Sequence, residues 1–151
     1  MIAYQLSVFA ENKPGRLAKV TRILAGEKIN IRAIAISTSG EFGVINILAD
    51  DPKRGLKVLE KAGLTVSLKE VIAVLIEDKP GGLDKLIQLL YDENINVENA
   101  YGFVLESWKQ AVFVVDVDQL DKTQEVLKKA GFETLNADAL SAIEPFHFMK
   151  Y

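Results

Sequence analysis

Asn12-Lys13-Pro14-Gly15-Arg16-Leu17 returns 66 residues later as Asp78-Lys79-Pro80-Gly81-Gly82-Leu83. Each copy stands between an apolar run of strand character and an amphipathic run of helical character. Proline suits the first position of a helix, where its missing N–H costs nothing and its fixed φ already fits. The glycine behind it keeps bulk away from a helix N-terminus. Unpaired N–H groups and the positive macrodipole end there hold a carboxylate or a phosphate readily. One copy alone reads as a good helix start and nothing more. Two copies in the same setting point to a ligand-holding corner.

The repetition extends beyond the corners. Ile29-Asn30-Ile31 matches Ile95-Asn96-Val97 at the same offset of 66, and Val58-Leu59-Glu60-Lys61-Ala62-Gly63 matches Val126-Leu127-Lys128-Lys129-Ala130-Gly131 at 68. Two residues are therefore added between those blocks, most simply in a hairpin loop. The chain is a duplicated unit of roughly 70 residues, near the lower limit for a self-sufficient core. Two copies are too few for a solenoid. The expected division is 1–69, 70–137 and an extension, 138–151.

Within the first copy, Ala3 to Phe9 alternates as a strand does, with Tyr4, Leu6 and Val8 on one face. Leu17, Val20 and Leu24 then recur at helical spacing. Ile31 to Ser37 and Val44 to Ala49 flank a turn-rich segment, Thr38 to Gly43, and form a hairpin. Asp51-Pro52 opens a second helix that ends at Gly63, and Leu64 to Leu68 closes the unit. The second copy repeats this order with strands at 71–76, 96–105, 111–117 and 132–135. Its first helix carries Leu83, Leu86, Ile87, Leu90 and Tyr91 on one stripe. The pattern is βαββαβ twice. Right-handed crossovers put both helices of each unit on one sheet face, so the fold class is α+β with two ferredoxin-like antiparallel units.

Composition narrows the chemistry. The chain has 151 residues, 49% of them apolar, a net charge of −3 and no cysteine. Disulfides, thiolate metal sites and cysteine nucleophiles are excluded, and general attraction to nucleic acid or anionic membrane is not expected. The N-terminus shows no signal peptide and no apolar run approaches a membrane span, so a soluble, cytoplasmic protein is expected. No nucleotide-phosphate loop is present, and no cofactor is expected. The sole histidine, His147, reads as a surface or packing residue. Asp50, Asp51, Asp116 and Asp118 precede the second helices, where capping explains them better than a metal does.

A βαββαβ unit whose first loop reads Glu-Asn/Asp-Lys-Pro-Gly-x-Leu and whose second strand opens with Ile-Asn-Ile/Val resembles an ACT domain. The resemblance covers nearly the whole chain and implies a stand-alone tandem pair without an attached catalytic domain. That family typically binds amino acids where two units meet, through the first loop and the start of the second strand. The resemblance therefore implicates Asn12, Lys13, Pro14, Gly15, Arg16 and Leu17 with Asn30 and Ile31. In the second copy it implicates Asp78, Lys79, Pro80, Gly81, Gly82 and Leu83 with Asn96 and Val97. Asn30 and Asn96 read equally as turn residues leaving a helix, and Arg16 as part of a solvated helix face. Asp78 carries a charge that Asn12 lacks and Gly82 offers room that Arg16 fills, so the second loop is the expected amine receiver.

The function these readings imply is a non-catalytic amino-acid-binding sensor. The alternative is a regulatory subunit acting in trans on a biosynthetic enzyme, since the first half is also similar to the small subunit of acetolactate synthase. Val71 to Ile76 and Ala111 to Val115 are apolar on both faces. A sheet with one solvated face should alternate, so something is expected to cover the helix-free side. The expected cover is a second copy in a homodimer or larger assembly. Ala139 to Glu144, aligned with Val71 to Ile76, is expected to add a strand.

Overall fold

The structure, a computed structural model, describes residues 1–142. The chain separates into two compact units, one of Tyr4–Glu70 and one of Met1–Ala3 with the chain from Val71 onward. Period-2 alternation in the first unit yields β1 (Ala3–Glu11), β2 (Ile31–Ser39) and β3 (Phe42–Ala49). Period-3.6 stripes yield α1 (Arg16–Gly26) and α2 (Pro52–Lys61). The strand β4 (Thr65–Glu77) begins in this unit and gives the order β2-β3-β1-β4. Leu6, Val8, Ile45 and Ile47 on one sheet face pack with Val20 and Leu24 of α1 and Leu59 of α2.

The second unit repeats the plan with the end of β4, α3 (Gly82–Asp92), β5 (Val97–Glu106), β6 (Gln110–Val117), α4 (Leu120–Lys129) and β7 (Thr134–Leu135). Its strand order is β5-β6-β4-β7. Ile72, Val74, Val115 and Val117 meet Leu86 and Leu90 of α3 and Leu127 of α4. Both units are βαββαβ folds with antiparallel strands and helices on one face. No helix among the described residues is long and apolar enough to cross a membrane.

Several expectations change. The strands anticipated at 64–68 and 71–76 are one uninterrupted 13-residue strand, β4. Pro14 and Pro80 lie outside their helices, because the following Gly15 and Gly81 are the N-caps. The proline rule holds at α2, where Pro52 follows Asp51 and the Asp51 carboxylate accepts from the Arg54 N–H at 3.2 Å. Of the two added residues, one lengthens the second hairpin turn and the other is a bulge between Val104 and Glu106. Leu83 and Tyr91 are exposed, leaving Leu86 and Leu90 as the buried stripe of α3.

The strand expected from Ala139 is instead a short helix, α5 (Ala137–Ala142). Asn136 explains it: its carbonyl accepts from Leu140 N–H at 2.9 Å and its Oδ1 from Ala139 N–H at 2.8 Å, a helix cap followed by alanine-rich sequence. The rest of that stretch, with His147, lies outside the described residues.

The helix-free faces of the two units differ in chemistry. In the first, Gln5 Nε2 donates to Ser7 Oγ at 3.1 Å and Ser7 Oγ donates to Asn46 Oδ1 at 2.8 Å. The matching positions in the second are Val71, Ala73 and Val114, all fully buried. In the same strands Leu75, Ile76 and Phe113 are half-buried.

Candidate functional site

The corner between β1 and α1 is held from two sides. Asn12 N–H donates to Glu41 O at 2.7 Å and Asn12 Nδ2 to Gly40 O at 3.1 Å, tying the loop to the β2–β3 turn. Gly15 caps α1 in the left-handed region at φ 92° with no side-chain capping bond. Nothing stands within 4 Å of the place its Cβ would occupy, so the glycine answers to φ, not to crowding. Helical bonding starts with Lys19 N–H on Gly15 O at 3.0 Å. The Glu11 carboxylate receives both Lys13 Nζ and Arg16 NH2 at 3.2 Å. These ion pairs are largely exposed and orient side chains more than they stabilise.

The corner between β4 and α3 uses the same plan with different groups. Asp78 N–H donates to Lys109 O at 3.1 Å, and Asp78 Oδ2 accepts from Trp108 N–H at 2.7 Å. The carboxylate expected to receive an amine thus already pins a hairpin tip. Trp108 occupies the repeat position of Gly40 and shares its left-handed backbone, at φ 65°. Gly81 again caps with φ 87°. Glu77 accepts from Lys79 at 2.7 Å, and this bond, then the Lys79 charge, holds the Glu77 carboxyl below its ordinary range.

Gly82 answers to crowding. A Cβ there would collide with the backbone carbonyl oxygen of Glu77, so the glycine serves a close approach of helix start to strand end. Gly82 N–H reaches Lys79 O at 2.9 Å, whereas Arg16 N–H in the first copy stands 3.4 Å from Lys13 O. The first corner is looser, and a side chain fits.

Asn30, Ile31, Asn96 and Val97 are not beside the loops of their own units. Ile31 pairs opposite Ala49 while Glu11 pairs opposite Phe42, at the other end of β3. At ~3.3 Å per residue this is a separation of about 23 Å. Asn30 N–H donates to Asp50 Oδ1 and Asp50 N–H to Asn30 O, both at 3.0 Å. Asn96 and Asp118 repeat that exchange at 3.1 and 3.3 Å. These pairs close the entry to the second strand of each unit through the backbone of the asparagine. Among the described residues no group of three His, Asp or Glu side chains is placed to hold a metal.

Hollows adjoin both corners. A small one of about 70 Å³ beside the first loop is lined by Asn12, Arg16, Leu17, Ile36 and Thr38. A larger cleft of about 310 Å³ lies between the second loop and the turn that follows α4, and adds Lys85, Gly131 and Glu133. Sequence reasoning missed the second group. The signal was the repeated Val-Leu-x-Lys-Ala-Gly block, which carries that turn.

A family model described as an ACT domain pair matches residues 1–143. The chain belongs to that family. A solved protein from Bacteroides thetaiotaomicron is 34% identical with TM-score 0.87, covering 94% of this chain and 97% of that one. The regulatory subunit of aspartate kinase from Thermus thermophilus matches with TM-score 0.60 at 17% identity, over 86% of this chain and 96% of its own, a likeness of fold. D-3-phosphoglycerate dehydrogenase 3, chloroplastic, of Arabidopsis thaliana is 37% identical over 122 residues, 78% of this chain. The chain spans about a fifth of the length of that curated relative (19%).

The ACT pair thus presents two corners of one design. Each ends a strand, turns through a left-handed glycine and opens a helix whose first N–H groups have no side-chain cap. Leu17 and Leu83 stand exposed directly behind those glycines, each 41% accessible.

Proposed function

We propose that this ACT pair is a non-catalytic regulatory protein that binds a free amino acid at its strand-to-helix corners. The observation that carries the reading is the duplicated corner itself, open at the helix start and flanked by an exposed leucine in both copies. Helix-start N–H groups suit an α-carboxylate, and neighbouring carboxylates and carbonyls suit an α-ammonium. Membership of the ACT family and the fold likeness to an aspartate kinase regulatory subunit support a regulatory role. A thermal-shift panel of the common amino acids tests it. At about 100 times Kd a ligand adds roughly 2.7 kcal/mol, or about 5–10 °C in Tm for a chain of this size. A panel in which no amino acid moves Tm by about one degree refutes the reading.

Action in trans on a biosynthetic enzyme is the second reading. It is favoured by the dehydrogenase relative, which is about five times longer than the matched portion and bears an enzyme's name.

A further inference from the structure

The cleft beside the second corner has a twin. Every residue lining a hollow of about 260 Å³ in the first unit has its repeat counterpart lining the 310 Å³ cleft of the second. Glu11 and Lys19 correspond to Glu77 and Lys85, and the turn glycine Gly63 corresponds to Gly131. Duplication has therefore preserved a cleft framed by the strand end, the first turn of the first helix and the turn after the second helix. Six of these nine lining positions differ: Ala10 to Ile76 and Leu64 to Phe132 exchange one apolar group for a larger one, and the other four change the chemistry of the lining.

In the first unit Phe9 and Phe42 stack at 5.4 Å and 15° over the hollow, and the Arg16 guanidinium is bound to Glu11. Their counterparts are Leu75, Gln110 and Gly82, which withdraw both rings and the guanidinium. The fourth change replaces Thr65 with Glu133, adding an acid. Among the described residues neither Lys85 nor Glu133 is engaged in an ion pair, while Glu77 is occupied by Lys79. The second cleft thus presents Lys85, whose charge also acts on Glu77, and an acid, Glu133, that has no counterpart in the first, while the first carries the stacked rings and the Arg16–Glu11 pair.

We propose that the second-unit cleft is the amino-acid site of this chain, with Lys85 receiving the α-carboxylate and Glu133 the α-ammonium, and that the first-unit cleft, which lacks the acid and carries the stacked rings, is not. This rests on the amino-acid-binding reading above and narrows it to one ligand per chain. The charge pattern selects a zwitterion over a simple anion, and a volume near 300 Å³, at the lower end for small-molecule pockets, selects a small one.

The test uses the full chain and the twenty common L-amino acids, each supplied singly at about 10 mM in thermal shift. Calorimetry follows with whichever one stabilises. The double variant Leu75→Phe/Gln110→Phe copies the stacked rings of the first unit and is expected to weaken binding at least about tenfold. Glu133→Thr and Lys85→Gln, both at exposed positions, are expected to do the same with folding unaltered, so a misfolded double variant does not spare the proposal. Phe9→Leu/Phe42→Gln is expected to leave the parent affinity intact. Binding of parent strength in Glu133→Thr or Lys85→Gln overturns the cleft while leaving the sensor reading standing. Two equivalent sites per chain overturn the assignment to one cleft. A parent that binds no amino acid overturns both this inference and the sensor reading.

Discussion

Gly82→Ala separates two explanations of why the second corner carries a glycine where the first carries arginine. If the glycine serves a close backbone approach, a single methyl group is enough to do damage. A Cβ at 82 would run into the Glu77 carbonyl oxygen and lie 3.1 Å from its carbon, and neither atom moves without moving the strand end. Overpacking against atoms that cannot rotate away costs about 1–3 kcal/mol. Alanine returns up to about 1 kcal/mol in helix propensity, less at a first helical position. The net expectation is a loss of about 1–2 kcal/mol, or about 2–8 °C in Tm.

Gly55→Ala is the internal control. Its Cβ would meet Leu6 Cδ1 at 2.7 Å, the far end of a side chain that can re-seat, and it lies inside α2 where alanine gains the full propensity. Its Tm should stay above that of Gly82→Ala in differential scanning calorimetry. The close-approach argument fails if Gly82→Ala melts at or above Gly55→Ala. A variant that keeps parent stability yet loses amino-acid binding would restore the ligand-room explanation.

Trp108→Gly should raise stability by about 0.5–1 kcal/mol, because it relieves a left-handed tryptophan that is 76% exposed and sits where the first copy has Gly40. A fall in urea midpoint would mean that the indole makes a stabilising contact. Tyr101 has its phenol pKa raised, first by burial and then by the Asp116 charge. A raised folded value contributes stability below the unfolded pKa of about 10 and loses it as pH climbs from there toward the folded value. Tyr101→Phe should therefore flatten the alkaline fall in Tm, and parallel parent and variant curves above pH ~10 would contradict the assignment.

The fold was legible because the duplicated blocks mark both ends of each unit. Lys-Pro-Gly fixes where the first helix begins, and the Ala-Gly of the second block fixes where the second ends. Gly63 and Gly131 do end their helices, at φ 85° and 83°. What escaped was mostly non-local. Nothing in Leu64 to Ile76 says whether two strands or one passes through Lys69 and Glu70, since polar residues belong equally to an exposed strand and to a linker. The role of Gly82 depends on how close a carbonyl five residues earlier approaches, and spacing does not report that. Asp78 looked like a spare charge because its acceptor bond goes to Trp108, thirty residues away. The site residues drawn from the second strand lie away from the loop of their own unit for a topological reason: that strand starts at the bottom of the sheet, after a helix has carried the chain down its whole length.

The places where the two copies diverge carry a further argument. Their helix-side cores remain interchangeable in kind, Leu6, Val8, Ile45 and Ile47 against Ile72, Val74, Phe113 and Val115. The helix-free face has been rewritten as a set: where one unit has Gln5, Ser7 and Asn46, the other has Val71, Ala73 and Val114. Gln5 and Asn46 are buried with Ser7 half-buried, Val71, Ala73 and Val114 are fully buried, and each set is internally consistent. A buried amide or hydroxyl costs several kcal/mol unless bonded, so a single change from one set toward the other would strand a partner. The twin clefts behave alike, for the Phe9–Phe42 stack needs both rings and the exchange to Leu75 and Gln110 removes both. Divergence by coupled sets means that each unit answers to its own local surroundings, and the two clefts are among the surroundings that differ. A sensor built from two identical sites would need no such difference. A pair in which one cleft gains an acid and loses a ring stack does.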